Sequence, residues 1–510
     1  MRLPTKKLHR TASLVLLTLV FVLPVSFSAG ERGAEAGDMA QAIDSYVGRE
    51  MRELHIPGLA LTVIVNRAVV LERAYGHADS TGRDVTTHTP FILGSTSKAL
   101  TAIAVYELVR DRRLSLDARV AEYVPWFGTG ADPHSRITIR QLLSHTSGFS
   151  RREGVENWLQ DGGREDTLEN NSRRLAQAPL SREPGTGFEY SNANYDLLGY
   201  IIELVSGEPY AAYMREHVFE PLRMRDTFTS IADARRAGLA EGFYPWLGFA
   251  ALPTAMPYPR SALPSSFLIS TSHDLGLELL AQLGEGAPNT SEVDRSVLEA
   301  SRNVLSRADS YNEYASGWYV HRFWPEWHEG EDLNDPSMPL VYEHDGTATT
   351  YRSYAGFVPD RGLGVAMTLN TMDEVVASRW DYLNDGIMRL ASGHSPQAPT
   401  TSEDWLRRNS RALYVIALIC QLSASAWSLL ARRGLIAWLI VAAAVNTIVL
   451  GLALVYAPSR ADGPLQVFLR LTPDLGVMTV LAVAISFFWL GILAVRAVGR
   501  REAGTRLTWL

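Results

Sequence analysis

Residues 94–100 read Gly94-Ser95-Thr96-Ser97-Lys98-Ala99-Leu100 and open a segment with helical periodicity. A spacing of three residues places Ser95 and Lys98 on the same helical face. A serine hydroxyl is a poor nucleophile until a base takes its proton, and a lysine amine can be that base where its charged form is disfavoured. The pattern S-x-x-K therefore predicts a nucleophile and its base. Alone it is a weak signal, because a serine at a helix start is more often an N-cap.

A second segment, Tyr190-Ser191-Asn192, supplies a phenol and an amide two positions apart. A phenol titrates at about 10, so Tyr190 works as a base only beside a cation such as Lys98. Asn192 offers an amide group for binding a substrate. On its own the Tyr-x-Asn triplet carries little information, because most tyrosines are packing residues.

A third segment, His344-Asp345-Gly346-Thr347, follows a predicted strand. Gly346 lets a substrate approach the backbone closely. The N–H of Thr347, together with that of Ser95, is a candidate oxyanion hole. His344 can bind an acidic group or assist proton transfer, and a structural role for it is equally open.

Together these three elements resemble the motifs of the serine β-lactamase and penicillin-binding-protein superfamily, in their order and their separation. The likeness is closest to the class C-like branch, which also holds D-alanyl-D-alanine carboxypeptidases, D-aminopeptidases and esterases. Residues 142–149 are similar to its recurrent LLTHTSGL segment, and residues 218–224 to its VFEPLGM segment. Residues 269–275 are similar to its FSTASDL segment, with Ser265-Ser266 in place of Gly-Gly. The resemblance covers roughly residues 40–390.

The resemblance implies a role for each motif residue. Ser95 attacks a carbonyl and forms an acyl-enzyme, while Lys98 lowers the pKa of Tyr190 or shares a proton with it. Tyr190 deprotonates Ser95 and later protonates the leaving group. Asn192 holds the substrate amide or orients Lys98. Which of Lys98 and Tyr190 is the base stays open, because two coupled groups titrate as a unit.

His344 departs from the lysine that the related K-T-G motif carries. A lysine there is a permanent cation for a substrate carboxylate, whereas histidine is largely neutral at pH 7. His-x-Gly is similar to the motif of some peptidases and esterases in the family, so we expect activity but not efficient β-lactam hydrolysis. Arg352 is a candidate for the missing cation, or else a solvated strand residue.

The hydropathy pattern predicts strands at both ends of the hydrolase region. Residues 59–65 and 69–76 form two strands around a turn at Asn66-Arg67, and strand signals return at 316–320, 340–343, 350–358 and 362–369. Residues 135–300 read as helices and loops. We therefore predict an α+β fold with one antiparallel sheet built from both ends of the domain, flanking helices and an all-helical lobe. The resemblance names this a β-lactamase/transpeptidase-like fold.

Apolar segments lie at both chain ends. Residues 1–29 resemble a signal peptide or signal anchor, followed by the hydrolase domain at 30–395 and a linker at 396–411. Three apolar stretches, 412–431, 435–457 and 475–495, have the length of membrane-spanning helices and lack Lys, Arg, Asp and Glu, with Asn446 as an embedded polar group. They make up residues 412–497, and 498–510 form a cytoplasmic tail.

These segments predict a multi-pass protein of the cytoplasmic (inner) membrane with its hydrolase domain outside. The arginines of the loop after the first span and of the C-terminal tail fit the positive-inside rule, whereas Arg407, Arg408 and Arg411 before that span fit it badly. The prediction that the hydrolase domain lies outside therefore rests on the signal segment, residues 1–29.

Composition excludes several other functions. The chain has 510 residues, a net charge of −7 and no long basic run, so we predict no nucleic-acid partner. Its one cysteine, Cys420, lies in an apolar stretch and is a packing residue. No His, Cys or carboxylate cluster has metal-ligand spacing and there is no glycine-rich phosphate loop, so we predict no cofactor and no metal.

The sequence thus predicts a membrane-anchored serine hydrolase that acts through an acyl-serine on D-amino-acid peptides, esters or β-lactams. The predicted partner is a small-molecule or peptide substrate, and the oligomeric state is open. A non-catalytic sensor that signals through its membrane helices is the alternative, but a binder has no need of Ser95, Lys98 and Tyr190 together. A transporter ranks last, because one embedded polar residue offers little for a transport path.

Overall fold

The structure is a computed structural model that describes most of the chain. The described residues are 29–159, 163–248, 250–284, 292–323, 334–373, 377–397, 401–430, 435–451 and 473–506. The predicted signal segment lies outside them except for its last residue, and so do the end of the second predicted span and the end of the predicted tail.

One antiparallel sheet organises the hydrolase domain, as predicted. Its eight strands run in the order β2-β1-β12-β11-β10-β9-β8-β7. Their bounds are β1 Gly58–Val65, β2 Ala68–Gly76, β7 Ser306–Arg307, β8 Glu313–Ala315, β9 Trp318–Arg322, β10 Leu340–Ala348, β11 Tyr351–Val358 and β12 Leu363–Leu369. The N-terminal hairpin pairs through β1 with the last strand of the domain, so both chain ends close the sheet.

The β1–β2 turn has the geometry that its sequence predicts. Asn66 and Arg67 both have positive φ, 51° and 60°, which matches the twist of a two-residue hairpin. Several short strands were not predicted, β7 and β8 among them: β3 Phe91–Ile92 pairs with β6 Ile269–Ser270, and β4 Phe243–Trp246 pairs with β5 Ala250–Pro253. Strands of two to four residues are too short to show a periodicity in sequence.

Helices cover both faces of the sheet. Before and after the lobe lie α1 Ala29–Glu53 and α12 Ala377–Ala391. The lobe contains α2 Ser97–Arg110, α3 Val120–Tyr123, α4 Ile139–Leu143, α5 Arg151–Glu156, α6 Leu168–Leu175, α7 Asn192–Ser206, α8 Tyr210–Met214, α9 Ile231–Arg236, α10 Ser272–Leu283 and α11 Arg295–Ser301.

Strand β1 separates two hydrophobic cores. Leu59, Leu61 and Val63 pack with α1 and α12, whereas Ala60 and Ile64 face the helical lobe. Because alternate residues of a strand point to opposite faces, a strand buried on both sides reads as a continuous apolar run. That run is what the sequence shows at residues 59–65.

Among the described residues, three helices follow the domain: α13 Thr401–Leu430, α14 Leu435–Gly451 and α15 Pro473–Arg506. Two of them hold stretches long and apolar enough to cross a membrane, Arg411–Leu430 and Pro473–Val495. The prediction of three spans is therefore supported for two, since the apolar part found in α14 is Leu439–Val449. Helix α13 also begins inside the predicted linker, at Thr401, because residues 401–411 contain no helix breaker.

The three C-terminal helices are joined by buried amides and hydroxyls. Gln421 Nε2 donates to Asn446 Oδ1 at 3.0 Å and to Ser486 Oγ at 2.8 Å, so one side chain from each helix meets at one point. The embedded Asn446 of the predicted second span thus has partners on both neighbouring helices.

Glu278 makes the stability of the domain depend on pH. It lies on α10, fully buried, and neither carboxylate oxygen has a hydrogen-bond partner among the described residues. Burial raises its pKa to about 8, so the folded state holds a proton that the unfolded state releases above about 4.5. The stability that this bound proton gives to the folded state is fully present below pH 4.5, and it is lost as the pH rises through 8.

We expect Glu278→Gln to remove this dependence. The wild type should lose on the order of 3 kcal/mol of unfolding free energy between pH 4 and pH 7 that the glutamine variant keeps. Denaturant unfolding of the full chain at both pH values measures the difference. Parallel pH dependences of the two proteins would contradict the prediction.

Candidate active site

Ser95 lies in a tight turn just before α2. The 3₁₀ turn Gly94–Thr96 places it between the helix and strand β10. Gly94 has φ of +62°, and a Cβ at this position would lie 2.3 Å from the amide nitrogen of Thr347. Only glycine fits there, and the fit brings the Ser95 turn against the backbone N–H of Thr347. The two amides of the predicted oxyanion hole are thus on neighbouring segments.

Lys98 is one turn of helix beyond Ser95 and is fully buried. Its Nζ lies 3.0 Å from Ser95 Oγ, 2.7 Å from Asn192 Oδ1 and 2.8 Å from the carbonyl oxygen of Ser265. Burial lowers the pKa of Lys98 to about 7, because the ammonium ion loses its hydration. A large fraction of the side chain is therefore a neutral amine at neutral pH, and such an amine can accept a proton.

Tyr190 approaches Ser95 from the other side. Its hydroxyl donates to Ser95 Oγ at 2.7 Å, and Lys98 Nζ lies 4.9 Å from the centre of its ring. Burial raises the pKa of Tyr190 well above 10, and the neighbouring Tyr319 raises it further. The expectation that Lys98 lowers this pKa is wrong in the resting site, because desolvation of the phenolate outweighs the other effects. Tyr190 is accordingly a neutral phenol and a proton donor.

His344 is neutral and buried beside Tyr190. Its Nδ1 donates to the carbonyl oxygen of Asp345 at 2.6 Å, which leaves Nε2 as an acceptor 3.5 Å from the Tyr190 hydroxyl. Burial lowers the pKa of His344, and the positive charge of Lys98 acts in the same direction. The expectation of an uncharged group at this position holds.

Asn192 is the first residue of helix α7, and its side chain contacts Lys98. Of the two roles that the resemblance implies, orientation of Lys98 is the one with a contact in the structure. One turn further along α7, Asp196 is fully buried, and burial raises its pKa to about 7. Its negative charge opposes the lowering of the Lys98 pKa. The sequence motifs contain no signal for Asp196.

Gly346 packs closely against the protein's own backbone at Leu93. A Cβ at this position would lie 1.8 Å from the carbonyl oxygen of Leu93 and 2.4 Å from Ser353 Oγ. The space beside this glycine is filled by the segment before Ser95, and the close approach of a substrate to the Gly346 backbone stays a prediction. The glycine lets β10 lie close to the nucleophile turn.

Arg352 is neither solvated nor free. Only 3% of it is exposed, and its guanidinium pairs with Asp345 at 3.2 Å and Asp381 at 3.5 Å. It also donates to Thr347 Oγ1 at 3.4 Å. The interpretation as a solvated strand residue is wrong because β11 is buried on both faces. Arg352 does place a cation next to Thr347, but two carboxylates neutralise its charge.

His145 borders the site and belongs to residues 142–149, which resemble a recurrent segment of the family. It forms a turn, with φ of +56°, and its buried ring lies 4.5 Å from the ring of Tyr190. The backbone N–H of Ser191 and the amide of Asn194 both donate to its Nδ1. The imidazole therefore fixes the backbone next to Tyr190. The hydroxyl of the nearby Ser147 does not bond to this ring but donates to Asn194 Oδ1.

A cavity of about 440 Å³ borders the site on the side of His344. Its wall includes Tyr319, which stacks on Tyr190 with ring centres 6.3 Å apart. Elsewhere on the described surface, Glu208, Glu216 and His217 bring three ligand atoms within 4.8 Å of one another. This exposed group is on the surface around α8 and includes none of the motif residues.

Comparisons with known proteins agree with this geometry. The Beta-lactamase family model matches residues 43–386. Protein flp of Staphylococcus aureus (strain MW2) is 28% identical over 356 residues, which are 69% of this chain and 67% of that protein. Esterase EstB of Burkholderia gladioli is 34% identical over 230 residues, 41% of this chain and 55% of the esterase. The D-alanine carboxypeptidase AmpC structure from Burkholderia cenocepacia superposes with a TM-score of 0.57 at 21% identity, covering 70% of this chain and 99% of that one.

The fold is that of a β-lactamase-like serine hydrolase. The chain belongs to the Beta-lactamase family and so to the serine β-lactamase and penicillin-binding-protein superfamily. The predicted membership is confirmed.

Proposed function

We propose that this chain is a membrane-anchored, exported serine hydrolase that acts through an acyl-serine intermediate. The observation that carries the proposal is the position of Ser95 Oγ between Lys98 Nζ at 3.0 Å and the Tyr190 hydroxyl at 2.7 Å, with Lys98 fully buried. A nucleophile, a neutral base and a proton donor thus meet at one atom. A binding protein gains nothing from this arrangement.

Acylation starts when the neutral amine of Lys98 takes the proton of Ser95 and Oγ attacks the substrate carbonyl carbon. The oxyanion that forms is stabilised by the N–H groups of Ser95 and Thr347. As the bond to the leaving group breaks, Tyr190 donates its phenolic proton to the leaving atom and recovers one from the Lys98 ammonium. In deacylation a water attacks the acyl carbonyl, passes its proton to the same pair, and Ser95 leaves as the hydroxyl.

The substrate is a D-amino-acid peptide, an ester or a β-lactam. Similarity to an esterase and to the fold of a D-alanine carboxypeptidase supports the first two. Neutral His344 and charge-paired Arg352 offer no free cation for a substrate carboxylate, so esters and amides without a carboxylate next to the scissile bond are favoured. Efficient penicillin hydrolysis is not expected.

Anchoring in the cytoplasmic membrane rests on the exposed faces of α13 and α15. Only 17% and 28% of their most apolar windows are buried, whereas a core helix of a soluble protein is mostly buried. Ile416 and Ile419 on α13, and Phe487 and Phe488 on α15, are each more than half exposed. Such faces require lipid. The hydrolase domain lies on the extracytoplasmic side in this proposal, with α14 completing three crossings.

Turnover of matched substrates by the full chain in detergent tests the proposal. A p-nitrophenyl ester, a D-alanyl-D-alanine peptide, a D-amino-acid amide and a chromogenic cephalosporin are compared by kcat/KM. The ester or the amide should be hydrolysed faster than the cephalosporin. A folded protein that hydrolyses none of the four would contradict the proposal and favour the sensor.

We expect Tyr190→Phe to slow the release of the leaving group. The variant keeps the ring stack but loses the proton donor, so kcat should fall by about 10²-fold or more with little change in KM. Steady-state hydrolysis of the D-amino-acid amide, whose amine leaving group must be protonated, measures it. Tyr195→Phe is the control, because that hydroxyl donates to the Leu143 carbonyl; equal losses in both variants would contradict the assigned role.

A further inference from the structure

The hairpin formed by β4 and β5 is unusually apolar for a surface element. Residues 242–259, between Glu241 and Arg260, contain no charged side chain. At the hairpin Leu247 is 37% exposed and Leu252 is 47% exposed. Nothing in the proposed catalytic mechanism uses them.

Buried ion pairs tie this hairpin to the C-terminal helices. Arg411 of α13 bonds to Asp373 at 2.6 Å and to Asp474 of α15 at 2.6 Å. Tyr244 of the hairpin donates to Asp474 at 2.7 Å, and the backbone N–H of Leu247 donates to the same carboxylate at 2.9 Å. Hydrogen-bonded partners surround each buried charge, so the cluster is a fixed joint between the domain and the helices.

The cluster also marks one level along the helices. Arg411 is the first residue of the apolar stretch in α13, and Asp474 is the second residue of the stretch in α15. Both stretches therefore begin at the level of the hairpin tip and run away from the domain. Asp373 and Asp474 neutralise the charge of Arg411, so this arginine can lie at the outer end of the apolar stretch despite the positive-inside rule.

We infer that the β4–β5 hairpin lies in the outer interface of the bilayer, with the lipid surface as the partner of Leu247 and Leu252. Aromatic and aliphatic side chains without charge are the ones that partition into this region. The inference rests on the membrane anchoring proposed above. It gives the domain a second contact with lipid besides the helices.

The hairpin adjoins the β10–β11 strand pair, which carries Thr347. Gly242, directly before β4, packs against Thr350: a Cβ on the glycine would lie 2.1 Å from Thr350 Oγ1. Thr350 lies in the β10–β11 turn, just after Thr347. The hairpin therefore connects the lipid surface with the oxyanion side of the active site through contacting residues.

Site-specific fluorescence on the full chain tests the inference. The environment-sensitive probe NBD is attached to Leu252→Cys in a Cys420→Ala background, and the protein is reconstituted into phosphatidylcholine vesicles with or without a nitroxide lipid labelled near the headgroup. Native Cys420, exposed in the middle of the α13 stretch, is the positive control. Leu204→Cys on the helical lobe, 44% exposed, is the matched control outside the hairpin.

We expect the probe at position 252 to shift to the blue and to lose most of its emission with nitroxide lipid, while the probe at position 204 keeps its emission. A probe at position 252 that behaves like the one at 204, while Cys420 is quenched by lipid labelled deep in the acyl chain, would overturn the hairpin contact and leave the anchoring intact. Failure of lipid to quench Cys420 at any depth would overturn both.

Discussion

Replacing Ser95 by alanine should abolish turnover of every substrate of this protein. The variant lacks the atom to which the acyl group is transferred, and loss of a nucleophile that acts together with its base costs about 10⁴-fold or more in kcat. Ser95 is half-buried, and its side chain bonds only within the site. The fold should therefore survive the change, which circular dichroism and detergent gel filtration check.

Ser147→Ala is the matched control. Ser147 has a histidine, His145, two residues away, and its hydroxyl donates to Asn194 at 2.5 Å, away from Ser95. We expect this variant to lose some stability and to keep its activity within about tenfold. An inactive Ser147→Ala beside an active Ser95→Ala would reverse the assignment of the nucleophile.

The second large effect concerns Lys98. Because only the neutral amine accepts the serine proton, ester hydrolysis by the wild type should rise with pH through about 7, the pKa that burial gives to Lys98. Lys98→Met fills a similar volume without an amine and should lower kcat by about 10³-fold or more. The variant should also lose the ascending limb of the pH profile near 7, which a merely structural role would not affect.

The Lys98→Arg variant distinguishes a role of Lys98 as a base from a role as a positive charge. A guanidinium stays protonated throughout this pH range, so the variant keeps the positive charge but has no lone pair to accept a proton. We expect it to be as inactive as Lys98→Met in a pH series of kcat/KM. An arginine variant with substantial activity would show that Lys98 acts through its charge and that Tyr190 is the base.

The sequence predicts the residues around Ser95 well, because each motif is a short run of residues and the motifs follow one another in a fixed order along the chain. Ser95 and Lys98 sit one helical turn apart, and Tyr190 and His344 come to the same point from distant segments, as the resemblance implies. The strands around the Asn66-Arg67 turn also follow directly from the apolar runs on either side of it and from turn chemistry.

What the sequence does not predict depends on burial and on long-range pairing. The phenol of Tyr190 keeps its proton because the assembled site excludes water. Asp196 comes near Lys98 through the packing of α7 on α2, and the Ser265 carbonyl reaches it through the packing of the turn Leu263–Phe267 on α2. Arg411 appears in the sequence as a charge before an apolar run. Its two aspartate partners come from separate segments, and no spacing rule links them.

The central claim is that Ser95 carries the acyl group during catalysis. The most direct measurement is peptide mass mapping of the full chain, quenched with acid during turnover of a p-nitrophenyl ester and, separately, during incubation with penicillin. We predict an added mass equal to the acyl group on the peptide that contains Ser95, and no added mass on that peptide in Ser95→Ala. Turnover with no added mass at any time, or with the added mass on another residue, would contradict it.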